Sequence, residues 1–443
     1  MKFDTMVICS TLNQMVNYIA IKKHGIEKVI NITGETNENH ANLKKFNYGE
    51  WNKNLKDVLD DIIFEDPDIC FGNKEARNYS EMIDKLGKLF NSKDKPILWN
   101  ITGGQRYIVM AITEYVFKNR KDDVIVYFEG DTEKFLYYGN TKEDISTEIK
   151  NDYKCEMNIP LAFKLMGMSV KEREEYKVSD YYNLFFKGKD ESEITDEDKR
   201  YIDEYKFYNE FYEKYCDDIE ILKILVEVNK DKPDGEIVED KLDWVINKLR
   251  DKCKEFFNDK NENIFKESIE KEYRKRKVKR KVFGYILEKM SFYRMIKILT
   301  ESDIKDVIAD IDMGVKINFS DKKRRISEHH IDEFDIVVVT NMGKVVIFEC
   351  KSGYMCGDNA KSTHYSTYKV SGVYGAPVLI DPIIEKQNIK EESFENIRKA
   401  ENAASKAGLI ICRMGNKDNT GDSKNGIYSL EDYLKSVFES EGE

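Results

Sequence analysis

The sequence predicts an α/β protein in three parts: a Rossmann-like sheet over residues 1–151, a charged helical connector over 152–281, and a second α/β unit over 282–443. Three observations carry this. In the first part, short apolar runs alternate with apolar residues at helical spacing, the pattern of strands joined through helices. In the middle, charged and aromatic residues dominate, and glycine and proline nearly vanish apart from Gly188, Pro233 and Gly235. The last part is organised around IDEFDIVVVTNMGKVVIFECKSG, Ile331 to Gly353, which reads as a β-hairpin.

The chain has 443 residues, room for about two or three domains. Hydrophobic residues make up 41% and charged residues 35%, so a soluble, highly charged protein is expected. The net charge of −11 argues against a generally basic nucleic-acid coat. It leaves room for a local basic groove and suits a site that collects divalent cations. The eight cysteines form no CxxC pair, and Met1-Lys2-Phe3-Asp4 leads straight into a strand. A signal peptide and a membrane span are therefore not expected, and a reducing cytoplasm is. Cys9, Cys350 and Cys412 are expected as buried free thiols. The five histidines include the His329-His330 pair, but no Cys or His stands at zinc-ligand spacing.

Taken in order, Met6–Cys9 is a short apolar strand that stops at Ser10-Thr11. Val16, Ile19, Ala20 and Ile21 then recur at helical spacing up to His24-Gly25, where glycine can end a helix. Lys28–Ile32 is a second strand. Ile97–Ile101 is another, followed by a Thr102-Gly103-Gly104 turn and a helix over Gln105–Phe117. Val124–Phe128 and Phe135–Tyr138 complete the sheet.

Ligands on such sheets sit beyond the strand carboxyl ends. Two of those ends carry small polar residues: Ser10-Thr11-Leu12-Asn13-Gln14, and Asn100 through Arg106. Backbone N–H groups at a helix start bind phosphate, glycine permits close approach, and Arg106 supplies a fixed positive charge. The alternative is an ordinary strand-to-helix turn with a surface arginine. No GxGxxG or GxxxxGK[ST] occurs, which disfavours a dinucleotide or P-loop site.

In the middle, Tyr201–Tyr215, Ile219–Val228 and Lys241–Phe257 read as helices with solvated charged faces, and Lys187–Arg200 as a flexible loop. KEYRKRKVKRK, Lys271 to Lys281, is the strongest basic run and a candidate for tracking a nucleic-acid backbone. Lys322-Lys323-Arg324-Arg325 is a second. A solvated helix end is the alternative for the first.

A hairpin centred on Met342 sets Thr340 opposite Lys344, Ile336 opposite Phe348, and Asp335 opposite Glu349. Alternation then places Asp335, Glu349 and Lys351 on one face. Two opposed carboxylates destabilise a sheet unless something compensates. Mg²⁺ or Mn²⁺ would do so, with Lys351 next to it to orient a water or meet charge on a phosphate. In the bland reading the acids are solvated and Lys351 pairs with Glu333. A helix over Val282–Leu299 precedes the hairpin, and Glu288 interrupts its apolar side. A strand follows at Ile308–Phe319. After the hairpin come a helix at Asn359–Val370, a strand at Pro377–Ile380, a helix at Ser393–Ala407, a strand at Leu409–Cys412 and a helix at Leu430–Phe438. Tyr365, Tyr368 and Lys369 lie on the first of these helices, where packing is the expected role of the rings and approach to a phosphate the alternative.

Two resemblances arise from these residues. Asp335, Glu349 and Lys351 resemble the PD-(D/E)xK nuclease superfamily, with Phe334 where a proline is usual. That implies a restriction-endonuclease-like core in which Asp335, Glu349 and the Cys350 carbonyl hold Mg²⁺ or Mn²⁺. Lys351 would position the attacking water. In this superfamily a preceding helix often adds an acid near the metal, and Glu288 fits that place; an exposed glutamate is the alternative. WNITGGQRYIVMAI resembles the signature of CARF domains, with Gln105-Arg106 replacing the common Thr-Lys. The resemblance implies a homodimer that binds cyclic oligoadenylate across its two-fold axis. Ser10, Thr11, Asn13, Gln14, Thr102, Gly103, Gly104, Gln105 and Arg106 would contact it.

A CARF domain ahead of such a nuclease resembles the Card1/Can2 group of type III CRISPR ancillary nucleases. It implies a metal-dependent endonuclease switched on by cyclic tetra-adenylate, or less readily by cyclic hexa-adenylate. DNA and RNA, single or double-stranded, stay open as substrate. A nucleotide-sensing DNA-binding regulator with an inactive nuclease fold is the alternative, and a ring nuclease that degrades its own activator is a third reading.

Overall fold

The computed structural model describes residues 1–35, 48–90, 95–140, 145–171, 182–215, 218–227, 241–275, 282–320, 332–353, 355–372, 375–382, 395–414 and 427–438. Lys322 to Arg325 and the His329-His330 pair lie outside them. So do Arg276 to Lys281 of the basic run, and the side chains of Lys271 to Lys275.

Among the described residues the strands form two seven-stranded sheets. In the amino-terminal sheet the elements are β1 (Thr5–Cys9), α1 (Met15–Lys23), β2 (Lys28–Gly34), α2 (Tyr48–Lys56), β3 (Ile63–Phe64), β4 (Ile69–Phe71), α3 (Tyr79–Leu89), β5 (Leu98–Asn100), α4 (Arg106–Asn119), β6 (Val124–Glu129) and β7 (Lys134–Tyr138). The strand order is β3-β2-β1-β5-β6-β7, with β4 also on β2. All pairs are parallel except β6–β7. From β1 the chain crosses to β2 on one side; from β5 it crosses to β6 on the other. The order therefore reverses between β1 and β5, and a crevice opens beyond their carboxyl ends. Both candidate ligand loops leave the sheet there.

The second sheet runs β14-β13-β12-β11-β10-β9-β8. Its centre is β9 (Ile308–Phe319), β10 (Asp332–Thr340) and β11 (Val345–Cys350), paired antiparallel. Then β12 (Ala376–Asp381), β13 (Ile410–Arg413) and β14 (Ile427–Ser429) continue in parallel. One edge strand, β8 (Met168–Lys171), pairs with the far end of β9. It comes from the stretch read as helical connector, as does α5 (Ile159–Leu165). A four-residue strand whose partner lies far along the chain has no local signature strong enough to reveal it.

The rest of the middle departs from that reading as well. A π-helical turn spans Tyr182–Gly188, and α6 (Asp196–Tyr215) already begins inside the stretch read as a flexible loop. With α7 (Ile219–Glu227), α8 (Lys241–Lys252) and α9 (Asp259–Lys275) it encloses a core of Phe207, Phe211, Phe256, Phe257 and Phe265. Full burial of each such ring contributes on the order of 2 kcal/mol. That core is continuous with the one beneath the second sheet through α10 (Val282–Glu301). The helices are thus a packed insertion against the second unit, not a solvated bridge. The other face of the second sheet carries Val337, Val339, Val345 and Ile347 toward α1 and α5. The remaining helices are α11 (Gly357–Ser371), α12 (Glu395–Lys406) and α13 (Leu430–Phe438).

The hairpin has the expected register, with Ile336 opposite Phe348 and Val339 opposite Val345. The Thr340 N–H donates to the Lys344 carbonyl at 3.0 Å. Gly343 takes φ +78°, a conformation that favours glycine. The turn rests on the amino-terminal unit: a Cβ at Gly343 would stand 2.5 Å from Met15 Sδ and 2.9 Å from Ile19 Cδ1. The Thr340 hydroxyl also donates to Glu133 Oε1 at 2.6 Å, from the turn between β6 and β7.

Candidate functional site

Asp335 stands where β10 loses its regular pairing. On the β9 side Phe334 pairs with Val315 and Ile336 with Met313, so Asp335 falls opposite Gly314, which has φ +62°. Phe334 and Val337 consequently face the same core although they are an odd number of residues apart. This kink frees the Asp335 carboxylate to accept the Cys350 N–H at 2.7 Å, a place the regular ladder would give to a carbonyl. The strict alternation expected from sequence breaks here, opposite a left-handed glycine in the neighbouring strand, while the β9–β10 register stays the same on both sides.

Glu349 lies on β11 and Lys351 just beyond its end, and they form a direct ion pair, their side chains 16% and 26% exposed. Glu333, the other expected partner of Lys351, instead lies 3.5 Å from Lys316. Glu288 comes from α10. It is 8% exposed, which removes the exposed-glutamate reading. Loss of hydration holds the Asp335 carboxyl well above the usual carboxylate range, and the Glu349 and Glu288 charges push it further in that direction. Lys351 and the Cys350 N–H act the other way. Burial by itself would lower Lys351, but Glu349, Asp335 and Glu288 together outweigh it and raise it. The Cys350 thiol turns into the core and is pushed up by burial. Three acids and one lysine thus share one end of the sheet.

These are hard oxygen donors gathered at an electrostatic cost, which suits a divalent cation. Among the described residues no three His, Cys, Asp or Glu side chains close into a ready-made ligand set. Asp335 and Glu349 would offer two carboxylates to an ion that keeps much of its water, as Mg²⁺ does.

Tyr365 and Tyr368 on α11 are 66% and 53% exposed, so the expected packing of the rings is not found. The helix face that does pack carries Ala360, Ser366, Thr367 and Val370. Lys369 sits over the Phe319 ring at 4.6 Å.

In the amino-terminal crevice the two loops touch. A Cβ at Gly103 would meet Thr11 at 2.8 Å, and one at Gly104, with φ +100°, would overlap Cys9. Only glycine lets the second loop lie this close to the first. Thr11 and Asn13 are half-buried and Arg106 is exposed at the start of α4. Gln105 receives the Tyr107 hydroxyl. Ser10 and Gln14 point the other way. Gln14, read as a ligand contact, is fully buried; it donates to the Thr11 carbonyl at 2.9 Å and to Asn52 at 3.1 Å. Ser10 receives Asn52 at 2.8 Å and Asn31 at 3.0 Å, and both amides donate to Asp68. Thr102 donates to Asn100 and accepts the Phe128 N–H, each at 2.7 Å. Asn31, Asn52 and Asp68 were not identified from sequence. Their only signal was polar residues in or beside otherwise apolar elements.

No protein-family model matches the sequence, and no curated protein matches it. Solved structures do match. Protein VC1899 from Vibrio cholerae superposes with a TM-score of 0.59 at 15% identity, covering 98% of each chain. Can2 from Sulfobacillus thermosulfidooxidans, solved in complex with cyclic tetra-adenylate, gives 0.53 at 13% identity, over 98% of this chain and 99% of its own. At such identities the likeness is one of fold, and it runs end to end through both sheets and the helical insertion. No helix among the described residues is long and apolar enough to cross a membrane.

Proposed function

We propose that this chain is a metal-dependent endonuclease of type III CRISPR defence, activated by cyclic oligoadenylate bound to a homodimer. The observation that supports it most is the cluster of Asp335, Glu349, Glu288 and Lys351 at the kinked end of the hairpin, in a chain that shares its full-length fold with a cyclic tetra-adenylate-binding protein. Asp335, Glu349 and the Cys350 carbonyl are the candidate ligands for Mg²⁺ or Mn²⁺. When bound there, the ion supplies charge neutralisation and a water of lowered pKa. Lys351, kept protonated by the surrounding acids, would orient an attacking water and meet the charge that grows on the phosphate. Glu288 would add a further acid beside these groups. In the crevice, Thr11, Asn13, Gly103, Gly104, Gln105 and Arg106 face the ligand; Ser10, Gln14 and Thr102 hold the loops from behind. Cyclic tetra-adenylate is the expected activator, ahead of cyclic hexa-adenylate.

The test is cleavage by purified protein with Mn²⁺ of circular single-stranded DNA, supercoiled plasmid and RNA, with and without cyclic tetra-adenylate. Cleavage that needs the ligand and vanishes in Glu349→Ala is expected. Silence on every substrate, with Mg²⁺ and cyclic hexa-adenylate also tried, would overturn the proposal in favour of a DNA-binding regulator.

A further inference from the structure

Glu288 reaches the site only if α10 is held at one rotation about its axis. Successive helix residues point about 100° apart, so the residue after Glu288 faces away from the hairpin. That residue is Lys289. It is 1% exposed and its ammonium lies 2.6 Å from Glu204 Oε2 on α6, itself 2% exposed. Tyr293, one turn further along α10, donates its hydroxyl to the same oxygen at 2.9 Å. Arg200 Nε lies 4.0 Å from the other oxygen. The Tyr293 ring stacks on Tyr208 with centroids 5.8 Å apart, and Tyr208 bonds Ser268 of α9 at 2.7 Å. The insertion therefore grips α10 beside Glu288, through a buried charge pair in an otherwise aromatic core.

A buried ion pair is a poor device for stability, because desolvation offsets most of the attraction. It is a good device for orientation, because a misrotated helix would leave two buried charges unpaired. We propose that Lys289 and Glu204 are positioning residues for the nuclease site, and that the helical insertion acts as a brace holding Glu288 against Asp335 and Glu349. The inference rests on the nuclease reading. Loss of the pair should weaken the divalent-cation site while the fold survives.

The experiment measures Mn²⁺ binding to the full chain by electron paramagnetic resonance, with thermal melting as the control for folding. Glu204→Gln with Lys289→Met removes both charges together, so neither is left stranded. This double variant should melt cooperatively near the parent and bind Mn²⁺ roughly tenfold more weakly, as happens when groups that orient metal ligands are lost. Glu288→Gln alone should weaken binding to a similar degree. Adding the double change to Glu288→Gln should produce no further loss, because the brace acts through Glu288. Tyr293→Phe, which removes one hydrogen bond, should give the same effect at smaller amplitude and serves if the double variant fails to fold. Unchanged Mn²⁺ affinity in folded variants would overturn the brace alone, as would losses that add to that of Glu288→Gln. A parent protein that binds no Mn²⁺ would overturn the nuclease reading and the brace with it.

Discussion

Behind the loops at the ends of β1 and β5, the buried polar groups are mostly neutral: Ser10, Gln14, Asn17, Asn31, Asn52 and Asn100, each within hydrogen-bond distance of another. Asp68 is the one carboxylate joined to them, and it receives Asn31, Asn52 and the Lys56 ammonium. At the end of β10 and β11 the groups are charged: among the described residues, Asp335, Glu349 and Glu288 surround Lys351. The first arrangement is satisfied as it stands and holds two loops in a fixed shape. The second gathers like charges that a cation would relieve. A neutral hydrogen-bonded network can fix the shape of a crevice, whereas a site for a hard cation has to gather like charges.

The largest effect should come from relieving that repulsion without the ion. Asp335→Asn keeps the size of the side chain and removes one of three acids. Cleavage should fall by roughly a thousand-fold, while the melting temperature without metal rises by a few degrees. A fall in both would mean that Asp335 is a structural acid and would erase the contrast between the two regions.

Asp310 offers a second break. It lies on β9, 2% exposed, and accepts the Ile159 N–H that opens α5 at 2.9 Å. Burial raises its carboxyl to about 7, against the pull of that N–H and of Lys187. Unfolded, it would titrate near the ordinary value of about 3.9. Between those values the unfolded chain releases a proton that the folded chain keeps, so this group's contribution to stability is full at acid pH and is lost as pH rises through about 7. Asp310→Asn should flatten that slope and stabilise the protein at pH 8 by on the order of a few kcal/mol. Urea titrations at pH 5 and pH 8 read it, and an unchanged slope would contradict the assignment.

The neutral network should respond with a smaller loss. Asn52→Leu leaves Ser10, Gln14 and Asp68 each short of a partner and should cost roughly 1–3 kcal/mol, with weaker binding of cyclic tetra-adenylate. Asn52 also shows where sequence reasoning stopped. The hairpin was legible because period-two alternation and a turn glycine specify register locally. The β1 and β5 loops were legible because small polar residues end apolar strands. Gln14, expected to face the ligand, has its amide buried against Thr11 and Asn52, since the sequence carries no mark of which way a loop amide turns. Asn52 and Asp68 reach Ser10 only through tertiary contact. The aromatic core of α6 to α9 was read as a solvated connector because its charged residues outnumber its apolar ones, although the phenylalanines cluster in space. The kink at Asp335 lies opposite Gly314 in a neighbouring strand, which no local pattern reports.

The smallest effect concerns the seam where the two regions meet. Thr340 ends β10, the strand that carries Asp335. Its hydroxyl donates to Glu133 of the amino-terminal unit, and its oxygen accepts the Lys344 N–H at 3.0 Å. Glu133 has φ +56°, and burial raises its carboxyl. Thr340→Val keeps the β-branched shape and removes the hydroxyl, which should cost about 1 kcal/mol. If the hairpin is held in register with the ligand loops through this contact and the Gly343–Met15 packing, the variant should bind cyclic tetra-adenylate as tightly as the parent. It should also keep its unstimulated cleavage but lose several-fold in stimulation, because only the link between the regions has changed. Equal stimulation in variant and parent would show that the coupling runs elsewhere, with α5 the next element to test, since it touches both α1 and β10.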